Sequence, residues 1–134
     1  MVSLPDVQSS NAQIASTLPG LVAVFVGATS GIGEYALKEF ARHAQKPRVY
    51  FVGRSQEAAD RIAGECRKLN PDGEFTFIQA DVGLLSSVDD VCRQIMNKEK
   101  TINLLFLTCG SALFGEGSSF LPLLPYKIQL FTKV

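Results

Sequence analysis

Four short runs of apolar residues alternate along the chain with segments in which apolar residues recur every three or four positions. The runs lie at residues 21–26, 48–52, 74–79 and 101–108 and are rich in β-branched and aromatic residues, which is typical of strands. They show little polar alternation, which indicates a sheet covered on both faces. The order β-α-β-α-β-α-β with short connections predicts an α/β fold, a doubly wound parallel sheet with strand order 3-2-1-4.

Helices fill the intervals between the strands. Ser55 is a favourable N-cap for the second of these helices, which we predict to end at about Leu69. The third is predicted over residues 87–98, with Ser86 or Ser87 as its cap. The side chains predicted to face the sheet are Ile32, Ala36, Leu37, Phe40, Ala41 and Ala44 of the first helix and Ala58, Ala59, Ile62, Ala63 and Leu69 of the second.

A glycine-rich turn joins the first strand to the first helix, with the spacing G-x-x-x-G-x-G. Gly27 can adopt backbone angles that a side chain forbids, Gly31 lets the backbone approach a pyrophosphate, and Gly33 lets the helix pack closely on the strand. The free N–H groups and the dipole at the helix start favour an anion there. The turn therefore predicts a nucleotide site at the carboxyl ends of the strands, and the alternative is a tight turn that binds nothing.

Composition narrows the functional classes. The 134 residues are 46% hydrophobic and carry 13 basic and 13 acidic side chains, so one domain without a charged surface for nucleic acid or an anionic membrane is expected. Cys66, Cys92 and Cys109 have no metal-site spacing and suit a reducing interior. No membrane segment or signal peptide is predicted, and a cytoplasmic location is expected. At Cys109 we expect a buried thiol, with a reactive one as the alternative.

Four motifs at the strand ends, within residues 21–110, resemble those of the short-chain dehydrogenase/reductase family. The chain is similar to fungal members with a Leu-Pro-Gly lead-in, which often act in secondary-metabolite pathways. The resemblance implies a Rossmann-like domain that binds NAD or NADP and transfers a hydride to or from a carbonyl or alcohol carbon. The motifs are Gly27-Ala28-Thr29-Ser30-Gly31-Ile32-Gly33, Gly53-Arg54-Ser55, Asp81-Val82 and Thr108-Cys109-Gly110.

The resemblance also implies roles for individual residues. Asp81 would bind the adenine amino group, Val82 would lie along the adenine, and residues 108–110 would line the strip beneath the ribose and nicotinamide. The phosphates would lie against the glycine turn. The implied cofactor-binding residues are Gly27, Thr29, Ser30, Gly31, Ile32, Gly33, Arg54, Ser55, Asp81, Val82, Cys109 and Gly110.

The residues after the second strand favour NADP over NAD. A carboxylate about 20 positions beyond the glycine motif would bind the ribose 2′-hydroxyl of NAD, but that position is Gly53. Arg54 follows, and its permanently charged guanidinium suits a 2′-phosphate. Ser55 could add a hydroxyl donor. The alternative is that Arg54 is a solvated turn residue.

The chain also departs from the family pattern. Val26 stands where the family usually has threonine, and Thr108-Cys109 replaces the Asn-Ala of the family's Asn-Ala-Gly motif. The catalytic Tyr-x-x-x-Lys pair is absent, since the residues four positions after the three tyrosines are Glu39, Arg54 and Leu130. We therefore predict no catalytic residue. Two hypotheses stay open: an NADP-dependent oxidoreductase, and a catalytically inactive, truncated nucleotide-binding remnant.

Three parts of the chain are distinguished. Residues 1–20 are the N-terminal part, in which residues 1–10 have no apolar period and are predicted to be a loose arm, and residues 11–17 to form a short helix capped by Ser9 or Ser10. Residues 21–110 are predicted to form the nucleotide-binding domain. Residues 111–134 contain two prolines and no helical period, so an irregular, aberrant or truncated tail is expected. The fourth strand would be a sheet edge unless this tail covers it, which predicts self-association through that edge.

Overall fold

The computed structural model describes residues 1–17 and 19–110, and a four-stranded parallel sheet forms its centre. The strand order β3-β2-β1-β4 and the parallel pairing of all neighbours confirm the predicted topology. The registers pair Val26 with both Val52 and Leu107, so the carboxyl ends of the strands are level. The strands are β1 (Val22–Val26), β2 (Arg48–Gly53), β3 (Glu74–Gln79) and β4 (Leu104–Leu107).

Helices cover both faces of the sheet, as the apolar strands require. The described helices are α1 (Leu4–Ala12), α2 (Ile14–Thr17), α3 (Gly31–His43), α4 (Gln56–Leu69) and α5 (Leu85–Met96). Alternate residues of each strand face opposite sides: Phe25 packs with α3 and α4, whereas Val24 packs with α5. Phe25 lies between Phe40 and Phe106, with ring centroids 5.6 and 5.5 Å away. None of the helices described is long and apolar enough to cross a membrane.

The N-terminal arm is helical, which corrects the prediction of a loose segment over residues 1–10. Ser3 caps α1: its hydroxyl oxygen accepts from the Asp6 amide, while the Ser3 hydroxyl donates to the Asp6 carboxylate at 2.6 Å. Pro5 lies in the first turn, where its missing N–H costs nothing. The cap and Pro5 favour a helix at this point although α1 buries no residue. The lack of an apolar stripe therefore did not indicate a loose segment.

Two elements begin or end elsewhere than predicted. Helix α5 begins at Leu85 with Leu84 as N-cap and no side-chain cap, so the predicted caps Ser86 and Ser87 lie inside the helix. Strand β4 is shorter than the predicted range 101–108. Just before it, the Asn103 side chain accepts from the Val22 amide at 2.9 Å and the Asn103 amide donates to the Val22 carbonyl at 2.9 Å.

The inward faces of α3 and α4 are largely as predicted, with two exceptions. Ile32 is 76% exposed because Gly33 takes the inward position in the first turn of α3. Leu69 is exposed, and Cys66, one turn earlier, is fully buried instead. The buried stripe of α4 is Ala59, Ile62, Ala63 and Cys66.

Candidate cofactor-binding site

The loops that follow the four strands enclose one cavity of about 430 Å³. Because the carboxyl ends are level, each loop contributes residues to the same opening. This is the edge at which doubly wound sheets bind ligands. The lining residues are Gly27, Thr29, Ser30, Gly53, Arg54, Ala80, Asp81, Val82, Gly83, Thr108, Cys109 and Gly110.

The glycine turn forms one wall of the cavity. Gly27 has φ +87° and Gly31 has φ +57°, angles that favour glycine over residues with a side chain. A Cβ at Gly27 would come within 2.8 Å of the Cys109 amide nitrogen, so β1 and the β4 loop meet there without a side chain between them. A Cβ at Gly31 would meet no heavy atom of residues 1–17 and 19–110 within 4 Å. The backbone at Gly31 is therefore open on the side that a ligand could approach.

Helix α3 starts at this turn with unsatisfied backbone donors. Ser30 is its N-cap but makes no side-chain cap hydrogen bond, whereas the Ser55 hydroxyl oxygen accepts from the Ala58 amide at 3.2 Å at the start of α4. The amides of Gly31–Gly33 donate no hydrogen bond to any residue that the structure describes. An anion placed there would satisfy them and interact favourably with the helix dipole.

A threonine holds the turn on the side of β2. A Cβ at Gly53 would overlap the side chain of Thr29, so the absence of a side chain at the end of β2 lets Thr29 fill this space. The Gly27 amide also donates to the Val52 carbonyl at 3.0 Å. The turn is thereby fixed against the end of β2.

Charged and polar groups occupy the opposite part of the cavity. The carbonyl of Arg54 accepts from the Gln79 side chain at 3.0 Å, which anchors the backbone after β2. The Arg54 guanidinium makes no ion pair or hydrogen bond with the described residues. Asp81 accepts from the Gly83 amide at 3.0 Å, which shapes the loop after β3. A fixed backbone thus carries an unpaired cation beside the cavity.

A cluster of four charges fixes α3 to α4 next to the glycine turn. Arg61 donates to both carboxylate oxygens of Glu34, at 2.7 and 3.0 Å, and Lys38 pairs with Glu34 and Glu65. Arg61, with Lys38, lowers the pKa of Glu34 to about 2. The carboxylate in the first turn of α3 is therefore neutralised by two cations, which reduces its repulsion of an anion at the helix start.

A family model for short chain dehydrogenases matches residues 21–123, which is more than half of the chain. The chain belongs to the short-chain dehydrogenase family. The matched region includes the whole described sheet and every residue that lines the cavity.

Relatives and solved structures agree with this assignment. Oxidoreductase AN1596 of Emericella nidulans is 43% identical over 132 residues, covering 94% of this chain and 39% of the relative. Short-chain dehydrogenase/reductase SAT2 of Stachybotrys chartarum is 34% identical, covering 84% of this chain and 36% of the relative. The chain thus spans less than half the length of these curated relatives.

Two solved structures share the fold. L-Sorbose reductase from Gluconobacter frateurii, complexed with NADPH and L-sorbose, has a TM-score of 0.63 at 21% identity, covering 75% of this chain and 38% of that one. An NADH-dependent reductase complexed with NAD, A1-R′, has a TM-score of 0.61 at 23% identity, covering 72% and 38%. At these identities the likeness concerns the fold.

The structure brings most of the residues implied by the family motifs to the cavity. Gly31, Ile32, Gly33 and Ser55 lie outside the lining: the three residues of α3 start the helix, and the Ser55 hydroxyl caps α4.

Cys109 is exposed at the cavity, which corrects the expectation of a buried thiol, because it follows the last paired residue of β4. The sequence analysis did not single out Ala80 and Gly83, although their positions beside Asp81 were a usable signal. The predicted cofactor-binding residues that line the cavity are Gly27, Thr29, Ser30, Arg54, Asp81, Val82, Cys109 and Gly110.

Neither tyrosine in the described part of this short-chain dehydrogenase lines the cavity. The Tyr50 hydroxyl donates to Glu99 at 2.9 Å, and the same carboxylate pairs with Arg48 at the start of β2. Burial, followed by this hydrogen bond, raises the pKa of Tyr50. Tyr35 lies in a separate groove between α3 and α4, and Tyr126 is outside the described residues. No tyrosine therefore stands among the described residues that line the cavity.

Proposed function

We propose that the chain binds NADPH across the carboxyl ends of the strands and forms the cofactor-binding part of an NADP-dependent oxidoreductase acting on a carbonyl/alcohol pair. The main supporting observation is the cavity itself: the glycine turn and the start of α3 adjoin it, and Arg54, which has no ion pair among the described residues, also lines it. The diphosphate of a dinucleotide would lie against the glycine turn and the start of α3, and the 2′-phosphate of NADP would lie against Arg54. We further propose a secondary-metabolite substrate, on the resemblance to fungal members alone.

The charges around the cavity support NADP over NAD. Among the lining residues, Asp81 carries the single carboxylate, and it follows β3 rather than β2. At the end of β2, where a carboxylate would bind a ribose 2′-hydroxyl, the chain has Gly53 and then Arg54. A guanidinium binds phosphate through several charge-assisted hydrogen bonds, so Arg54 is proposed to select the phosphorylated cofactor.

The bound nicotinamide would supply hydride transfer, and the described residues would hold and orient the cofactor. In this proposal the amides at the start of α3 bind the diphosphate, Arg54 binds the 2′-phosphate, and Asp81 binds the adenine amino group. None of the three tyrosines in the sequence is followed by lysine four residues later. We therefore expect the 134-residue chain by itself to bind NADPH without reducing ketones or quinones at an ordinary enzyme rate, on the order of 1 per second or faster.

Calorimetry with NADPH, NADH and ATP on the 134-residue chain tests the proposal, with circular dichroism confirming that the protein is folded. NADPH should bind more tightly than NADH, because NADH lacks the 2′-phosphate that Arg54 would contact. ATP should bind more weakly than NADPH. A folded protein that binds none of the three would refute the proposed function. NADPH oxidation with a panel of carbonyl substrates would refute the expectation of an inactive isolated chain.

A further inference from the structure

Thr108, the first residue after β4, connects this strand to the glycine turn. Its hydroxyl oxygen lies 3.2 Å from the carbonyl oxygens of both Val26 and Gly27, so its single proton is shared between these two acceptors. Its amide also donates to Val26 at 2.9 Å. Among the described residues, the Thr108 hydroxyl is the sole hydrogen-bond donor to the Gly27 carbonyl. One side chain therefore determines the orientation of the first peptide group in the turn.

The same hydroxyl occupies the space next to Gly33. A Cβ at Gly33 would overlap both the Gly27 carbonyl oxygen and Thr108 Oγ1, and would lie 3.0 Å from the Cα of Ala28. Close-packed groups of this kind cannot shift independently. The end of β4, the glycine turn and the first turn of α3 are consequently held as one unit by Thr108.

Two departures from the family pattern meet at this point. Val26 carries no polar side-chain group where the family usually has threonine, and Thr108 stands at the position of the family's asparagine. The hydrogen bond from Thr108 to the Val26 carbonyl joins these two positions in space. In this chain the hydroxyl between these two positions is therefore supplied by Thr108 after β4, and not by the residue at position 26 at the end of β1.

We propose that Thr108, which also lines the cavity, is a positioning residue for the cofactor's diphosphate, acting on it through the hydrogen bond from its hydroxyl to the Gly27 peptide. This inference rests on the proposed function. With the Gly27 carbonyl held, the turn keeps the positive φ angles at Gly27 and Gly31 and holds the start of α3 next to Ser30, its N-cap, which lines the cavity. Without the hydroxyl, the Gly27 peptide loses its donor and the turn samples other orientations, in which the start of α3 is no longer held in place.

The test compares Thr108→Val, which keeps the shape and removes the hydroxyl, with Thr108→Ser, which keeps the hydroxyl. Each variant of the 134-residue chain is titrated with NADPH and with adenosine 2′-phosphate, which has no diphosphate. Thr108→Val should weaken NADPH binding by about fivefold to tenfold, the factor for one neutral hydrogen bond. Its affinity for adenosine 2′-phosphate should stay within about twofold of wild type, and Thr108→Ser should resemble wild type with both ligands. Unchanged NADPH binding by Thr108→Val, or equal loss of both ligands, would overturn the inference.

A ligand-free measurement separates failure of this inference from failure of the proposed function. Amide hydrogen exchange at Gly27 and Thr108, whose amides donate to the Val52 and Val26 carbonyls, should be faster in Thr108→Val than in Thr108→Ser, while exchange in β3 is the same in both. Equal exchange in the turn would overturn the positioning role. If the folded wild type bound no NADPH, the proposed function would be refuted, and the exchange data would still decide whether Thr108 holds the turn.

Discussion

Arg54 combines a fixed backbone with a free charge. The Gln79 side chain anchors its carbonyl, and the end of β2 fixes the residue before it, while the guanidinium has no partner in the described part of the chain. A guanidinium beside the cavity that has no partner among the described residues need not break an ion pair with them to bind a ligand. This makes Arg54 the residue through which cofactor preference is most directly tested.

Arg54→Ala should weaken NADPH binding by about tenfold or more and leave NADH binding nearly unchanged, since a charge-assisted hydrogen bond contributes roughly 1.5–3 kcal/mol. Calorimetry with both cofactors measures the two effects. Arg42→Ala is the matched control, because Arg42 is an exposed arginine of α3 outside the cavity that pairs with Glu39 at 3.5 Å. Equal losses for NADPH and NADH would contradict a contact with the 2′-phosphate.

Gly33 and Gly64 are both helical glycines with opposite surroundings. A Cβ at Gly33 would overlap the turn and Thr108, whereas a Cβ at Gly64 would meet nothing within 4 Å in the part of the chain that the structure describes. Gly33→Ala should destabilise the fold by about 1–3 kcal/mol through overpacking and weaken NADPH binding. Gly64→Ala should stabilise it by about 0.5–1 kcal/mol because alanine favours a helix. Urea unfolding measures both, and a stabilising Gly33→Ala would show that α3 does not pack on the turn as described.

At the scale of elements, the ion cluster between α3 and α4 predicts a dependence of stability on pH. The pKa of Glu34 falls from 4.5 to about 2 because Arg61 donates to its carboxylate. A carboxyl group with a lowered folded-state pKa stabilises the fold above its unfolded pKa, and this contribution is lost as the pH falls toward the folded value. The contribution of Glu34 should therefore disappear between about pH 4.5 and pH 2.

Glu34→Gln should lower the free energy of unfolding at pH 7 by about 1.5–3 kcal/mol, the range for hydrogen bonds to charged groups. The difference from wild type should shrink as the pH falls through the window given above. Glu57→Gln is the matched control: Glu57 is the first-turn glutamate of α4 and makes no ion pair with the described residues, so its loss should cost about 0.3–1 kcal/mol. Equal costs for the two substitutions would contradict the role of the cluster.

The accuracy of the sequence predictions differed between elements for physical reasons. The strands and α4 were predictable because burial on both faces and the Ser55 cap leave local signals. Helix α1 was missed because it is formed by its cap and not by an apolar face. The start of α5 was misplaced because Leu84 caps it through the backbone alone, and side-chain preferences do not report such a cap.

Within the site, the sequence predicted which loops meet but not how they fit together. The motif positions after four parallel strands determine the cavity, since parallel strands bring their carboxyl ends to one edge. The packing of Thr29 on Gly53 and of Thr108 on Gly33 depends on contacts between residues 24 and 75 positions apart, for which a single sequence carries no local signal.

For the whole molecule, the exposed edge at β4 predicts self-association. Leu107 is 42% exposed and β4 has one neighbour, β1, in the described sheet. The expected cover by apolar residues of the tail falls on residues 111–134, which lie outside the described residues. An unprotected edge of this kind pairs with other chains, and a lysine on it blocks such pairing.

Size-exclusion chromatography with light scattering should show concentration-dependent association of the 134-residue chain. Leu107→Lys should shift it toward the monomer. Leu85→Lys should not, because Leu85 is 85% exposed on α5 and away from this edge. A wild-type chain that stays monomeric at all concentrations, or equal effects of the two lysines, would contradict association through β4.

Mapping NADPH binding by backbone amide chemical shifts tests the central proposal most directly, because it reports both whether and where the cofactor binds. We expect the largest changes at residues 27–33, 53–55, 80–83 and 108–110, which comprise the cavity lining, the start of α3 and the N-cap of α4. NADH should reproduce the changes in the glycine turn and lose those around Arg54. No shifts with a folded protein, or shifts confined to the groove between α3 and α4 that Tyr35, Arg42 and Leu69 line, would contradict the account.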